Sequence, residues 1–130
     1  MIVIDASAVL ELLLNTTAAP RVAERISRAG ETLHAPHLLD VEVGHVLRRY
    51  AGTGDLSAAQ GEQALADLEQ LPLVRYPHNA LLRRAWELRQ LVTVYDAMYI
   101  ALAEGLDAPL LTSDSRLARA HGHIARIEVF

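Results

Sequence analysis

Met1-Ile2-Val3-Ile4-Asp5-Ala6-Ser7-Ala8 opens the chain with three β-branched apolar residues, an acid, and then small residues. A run without polar alternation reads as a strand buried on both faces, the kind found inside parallel sheets. The pattern returns at Pro109-Leu110-Leu111-Thr112-Ser113-Asp114, which also closes on an acid. Between these two stretches, short β-like runs alternate with helical segments, the mark of an α/β fold with a parallel sheet. Ligands of such sheets bind outside the carboxyl ends of the strands, so Asp5 and Asp114 fall on one edge if both strands are parallel.

Working outward, Ser7 is expected to cap a helix running through Leu14. Pro20 to Gly30 suits a second helix with Val22 and Ile26 as its apolar positions and Gly30 as its stop. Leu33-His34-Ala35 reads as a short strand, followed by a helix from about Pro36 to Ala51 that ends at Gly52-Thr53-Gly54. Ser57-Ala58-Ala59-Gln60 is a capping box opening a helix that carries Ala64, Leu65 and Leu68. Leu73 to Tyr76 is the next strand, and Leu81, Leu82, Ala85 and Leu88 mark the helix after it. Asp96 stands at the start of a helix ending near Gly105. Leu110 to Thr112 is a strand, Ser115 to Ala120 a short helix, and Arg126 to Phe130 a terminal strand. Neither a repeat nor a linker divides the chain, so residues 1–130 read as a single domain.

Two further acids stand in apolar settings. Glu42 borders a helical stripe of Leu39, Val43, Val46 and Tyr50. Asp96 shares its direction with Tyr99, Ile100 and Ala103, the side of its helix expected to pack inward, close to the positive end of the helix dipole. Taken singly, Asp5, Asp96 and Asp114 are also what helix caps and turns look like, and Glu42 could simply reach water. Together, two strand-end acids, one helix-start acid and one helix-border acid fit a single cleft. An ionised carboxylate costs several kcal/mol to bury uncompensated. The chain contains no lysine. A metal ion is the natural compensation, and all-oxygen ligands favour Mg²⁺ or Mn²⁺. Hydroxyls at Ser7, Thr112, Ser113 and Ser115 lie where they could orient ligands, or serve as turn and cap hydrogen bonds.

Composition narrows the chemistry. The absence of cysteine excludes a thiolate nucleophile and a Cys-ligated zinc site, and fits a reducing, cytoplasmic compartment. Without lysine there is no P-loop and no Schiff-base chemistry. Asp5 and Glu11 interrupt the apolar N-terminus, which reads as neither signal peptide nor membrane span. All 12 basic residues are Arg, the side chain best shaped to fork onto phosphate, so a net charge of −4 does not veto a nucleic-acid substrate.

The opening segment, Glu42 on a helix after Pro36, Tyr95-Asp96-Ala97-Met98-Tyr99-Ile100-Ala101-Leu102-Ala103, and Leu110 to Asp114 together resemble a PIN-domain ribonuclease. The short form is similar to the VapC toxins of bacterial toxin–antitoxin modules. The resemblance implies a three-layer α/β/α fold and Mg²⁺- or Mn²⁺-dependent endonucleolytic cleavage of RNA by metal-activated water. It also implies a VapB-type antitoxin partner and a homodimer. The family's four acids map onto Asp5, Glu42, Asp96 and Asp114, its small hydroxyl residue onto Ser7, and its last-strand Thr onto Thr112. Some members carry a further acid just beyond the fourth. Here Ser115-Arg116-Leu117 supplies none, so of one or two ions, one is the firmly held case.

Arg49, Arg116 and Arg119 are the candidates for holding RNA phosphates. A PIN nuclease of RNA maturation outside any toxin module, or a PIN fold that binds RNA without cutting, would carry much of the same pattern. The Leu- and Ala-rich helices exceed what one sheet needs, which leaves room for a dimer face or a groove for an antitoxin helix.

Overall fold

The computed structural model describes residues 1–130. Ile2–Ile4 forms β1, in which every side chain is fully buried, as a strand covered on both faces must be. The remaining strands are β2 (Leu33–Pro36), β3 (Leu73–Tyr76), β4 (Leu110–Thr112) and β5 (Ile127–Val129). They join β1 in one sheet ordered β3-β2-β1-β4-β5, with every pairing parallel. The helices are α1 (Ala6–Leu13), α2 (Ala19–Ile26), α3 (Leu38–Thr53), α4 (Ala58–Gln70), α5 (Leu82–Glu87), α6 (Val94–Leu106) and α7 (Ser115–Ala118).

Helices α1 to α4 pack among themselves, while α5 packs on α6, and α6 lies along β1, β2 and β4. The sheet is thereby sandwiched in a three-layer α/β/α arrangement. Chain order moves from β1 through β2 to β3 in one direction, then returns past β1 to β4 and β5. The reversal falls between β1 and β4, where Ile4 pairs with Leu111. In doubly wound sheets that reversal opens a crevice at the carboxyl ends of the two strands.

Local chemistry explains most boundaries. Ser57 and Gln60 form the expected capping box, and Gly54 ends α3 in the left-handed conformation at φ 80°. Helix α2 stops at Ile26, with Ser27 as its C-cap, short of the stop expected at Gly30. The buried row on α3 is Leu39, Val43 and Leu47, with Val46 and Tyr50 only half-buried. On α5, Ala85 and the flanking Leu81 and Leu88 face inward, whereas Leu82 is 50% exposed. Helix α7 is one turn, shorter than the Ser115–Ala120 expected. No helix is long and apolar enough to cross a membrane.

Candidate active site

Asp5 follows β1 directly, and its N–H continues the sheet ladder onto Leu111 O at 3.1 Å. In extended conformation it is also the N-cap of α1, its Oδ1 accepting the Ala8 N–H at 3.0 Å. The cap is thus Asp5 and not the Ser7 that the sequence suggests. Ser7 sits inside the helix, and its hydroxyl turns back to donate to Asp5 Oδ1 at 2.6 Å. Ser7 has one proton, and the carboxylate takes it. Ser7 Oγ also lies 3.2 Å from Thr112 Oγ1. Thr112 in turn accepts the Asp114 N–H at 2.9 Å, and Ser7 Oγ accepts the Ser113 N–H at 2.8 Å. Donors thus run from the Ser113 N–H through Ser7 to the Asp5 carboxylate. Ser113 contributes its backbone. Its hydroxyl is buried without a partner.

Glu42 reaches the same region from α3 and is half-buried. The buried Tyr99 phenol donates to Glu42 Oε2 at 2.8 Å. Burial first, and then the Glu42 charge, push the Tyr99 pKa far up, so the phenol keeps its proton and is a permanent donor. Asp96 lies in the first turn of α6, whose N-cap is Thr93, with Thr93 Oγ1 accepting the Asp96 N–H at 3.2 Å. Asp114 caps α7 and is forked by Arg116, with Nη2 at 2.8 Å from Oδ2 and Nε at 3.1 Å from Oδ1.

Electrostatics separate these acids into two kinds. Burial raises the pKa of Asp5 above the usual carboxylate range, against its hydrogen bonds from Ser7, Thr112 and Ala8, and the charge of Asp96 raises it further. Burial also raises Glu42, helped by Asp5 and Asp96. Asp96 rises through burial, and then through Asp114. Asp114 goes the other way, held low by Arg116. None of the ion pairs in the chain involves Asp5, Glu42 or Asp96.

The four acids form one connected cluster, in which Asp114 touches the others electrostatically through Asp96. It is not a finished cage, since no three acidic or histidine side chains close around one point. Glu42 is turned onto Tyr99, and Asp114 onto Arg116. The donor set nevertheless fits a hard divalent ion. Three carboxylates make no ion pair, burial raises the pKa of each, and the Ser113 hydroxyl, one residue before Asp114, is buried without a partner.

A cleft of about 660 Å³ is lined by Asp96 and Asp114 together with Arg89, Arg116 and Arg119. Asp5 and Glu42 are not part of its lining. Arg49 lies apart from this cleft. It is exposed, its guanidinium lies 5.5 Å over the Tyr50 ring, and it does not line the cleft. Two helical turns carry it about 10 Å along α3 from Glu42. Sequence reasoning also missed Tyr99 as the holder of Glu42, and Arg89. The spacing of Tyr99 from Asp96, three residues on one helical face, was the available sign for the first. Nothing local marks Arg89.

Comparison with known proteins bears on the family and the fold. The family model described as the PIN domain matches residues 2–122. Ribonuclease VapC12 of Mycobacterium tuberculosis is 46% identical over 129 residues, covering 99% of this chain and 98% of that protein. The crystal structure of PAE2754 from Pyrobaculum aerophilum superimposes with a TM-score of 0.68 at 28% identity, over 96% of this chain and 81% of that one. VapBC2 from Rickettsia felis, solved bound to a DNA fragment from its promoter, matches with a TM-score of 0.72 at 14% identity. That likeness covers 100% of this chain and 99% of the other, and bears on the fold.

Proposed function

The chain belongs to the PIN-domain family, among relatives named VapC ribonucleases, and from this premise and the acidic cluster we propose that it is an endoribonuclease toxin using Mg²⁺ or Mn²⁺. The observation that supports the reading is the trio Asp5, Glu42 and Asp96, carried by the end of β1, α3 and α6, each with its pKa raised by burial and none in an ion pair. A bound divalent ion would polarise a phosphoryl oxygen and lower the pKa of a water at the site.

The chain's residues prepare that chemistry. Ser7 and the Ala8 N–H fix the Asp5 carboxylate in one rotamer, and Tyr99 does the same for Glu42. Thr93 starts α6 so that Asp96 faces the cleft. Asp114 anchors Arg116, which places a guanidinium beside the cleft for a backbone phosphate. Arg119, which also lines the cleft, adds positive charge without an ion-pair partner. One firmly held ion is the expected number, since Ser115-Arg116-Leu117 adds no further acid.

The partner of such a toxin would be a VapB-type antitoxin in a cytoplasmic complex, and the free toxin a homodimer. Exposed apolar residues on the helical surface, Val41 at 73% and Leu65 at 42% among them, support a covered face in the assembly. The test is cleavage of end-labelled cellular RNA by purified protein. Fragments are expected with Mg²⁺ or Mn²⁺ and none with EDTA, and Asp5→Asn or Asp96→Asn should slow cutting by about 100-fold or more while circular dichroism stays unchanged. Cleavage that survives EDTA, or both substitutions, refutes the metal-dependent reading.

A further inference from the structure

Three separate segments line the cleft. Leu91 and Val92 follow α5, Asp96 lies in the first turn of α6, and Leu117, Arg119 and Ala120 belong to α7 and the residues just after it. Helix α7 is a single turn, and no helix or strand forms between it and β5. One turn of helix on an irregular segment has little rigidity of its own. Contacts outside the cleft therefore decide where Arg116 and Arg119 stand relative to Asp96.

Arg84 and Glu104 supply such contacts. Arg84 Nε and Nη2 fork the Glu104 carboxylate at 2.7 and 3.1 Å, joining α5 to α6. The same Nη2 donates to Gly122 O at 3.3 Å, and Glu104 Oε1 accepts the Ile124 N–H at 3.0 Å. Glu87 holds the remaining Nη1 at 2.9 Å from within α5. One guanidinium and one carboxylate thus tie α5, α6 and the segment after α7 together. The Glu104 side chain is only 11% exposed, which sets this pair apart from surface ion pairs that contribute little. The Arg84 fork, against burial, holds Glu104 below the usual carboxylate range, and the Ile124 N–H assists. Gly122 lets the segment close in from the other direction. Its φ is 85°, and a Cβ there would collide with Leu91 Cδ1, part of a side chain that lines the cleft. Arg84, Glu104 and Gly122 are themselves outside the cleft lining. Just over two turns of α6, about 12 Å, separate Glu104 from Asp96.

We infer that the Arg84–Glu104 pair is a positioning device for the cleft, fixing where the arginines of α7 and its following residue stand relative to Asp96 without touching substrate itself. This rests on the nuclease reading, in which Arg116 and Arg119 hold RNA phosphates.

A lost position and a lost fold leave different kinetics. Destabilisation lowers the amount of active enzyme, and so the apparent kcat, while molecules still folded keep their KM. A displaced phosphate-holding group raises KM instead, with Asp5, Glu42 and Asp96 undisturbed. Steady-state cleavage of a short RNA carrying one cut site mapped by the cleavage assay would be measured for wild type, Arg84→Gln, Glu104→Gln and the double variant. Urea unfolding would give the folded fraction of each. Each single variant should raise KM by about fivefold or more, with kcat per folded molecule within about twofold of wild type, and the double variant should raise KM no further. Arg84→Lys keeps the charge but not the fork, and its KM should fall between those of wild type and Arg84→Gln. Should Arg84→Gln fail to fold, the KM of Arg84→Lys decides, a raised value supporting the inference and a wild-type value overturning it. Folded variants that keep the wild-type KM, or effects that multiply in the double variant, would overturn the inference and leave the nuclease reading in place. A wild type that cuts no RNA with either metal would overturn both.

Discussion

Asp5 is 7% exposed, caps a helix, and carries a charge that no side chain of the chain neutralises. Reading it as a cap and reading it as a site residue are compatible, because the hydrogen bonds from Ser7 and the Ala8 N–H both fall on Oδ1. The strain has a sign that can be measured. With its pKa raised by burial, the folded protein binds more protons than the unfolded chain just above the ordinary carboxylate range. Stability is therefore lost as pH rises through that window and stays reduced above it. Asp5→Asn removes the penalty, so in EDTA at pH 7.5 the variant should be more stable than wild type in urea unfolding. The advantage should shrink as pH falls toward the usual carboxylate pKa. An advantage that grows at low pH would mean the carboxylate is stabilised in the fold. The sequence showed that Asp5 and Asp114 end buried strands. That Arg116 would neutralise only one of them depends on the conformation of the turn after β4, and no local pattern encodes it.

At the scale of elements, α3 is the one to examine, because it carries Glu42 and begins without a cap of its own. His37 supplies no capping side chain, and the Leu38 N–H donates instead to His78 Nε2 at 2.8 Å, from the segment following β3. His78→Ala leaves that helix-start N–H to solvent and should cost about 1 kcal/mol in urea unfolding. His78→Gln, whose amide oxygen can accept, should recover part of it. Equal stability of all three proteins would show that the contact contributes nothing. The contrast with α4 explains what was legible. Ser57 and Gln60 are three residues apart, so their capping box is written in the sequence, whereas His78 lies 40 residues from the N–H it satisfies. The α3 stripe was misread for a related reason. Val46 and Leu47 are both apolar, and only packing against the sheet and neighbouring helices decides which is buried.

For the whole molecule, the sheet order places the reversal between β1 and β4, and this brings residues from the two ends of the chain to one crevice. Parallel pairing was readable from the apolar runs, and the acids were readable from their positions at the ends of those runs. The direction of each carboxylate was not, because Glu42 and Asp114 answer to Tyr99 and Arg116. The central claim is that Asp5, Glu42 and Asp96 together bind one divalent cation. Isothermal titration of Mn²⁺ into the metal-free protein tests it without reference to RNA. The expected result is a single site that Asp5→Asn and Asp96→Asn each weaken by about tenfold or more, with a thermal midpoint that rises on saturation in the wild type only. Mn²⁺ affinity that is unchanged in both variants would contradict it.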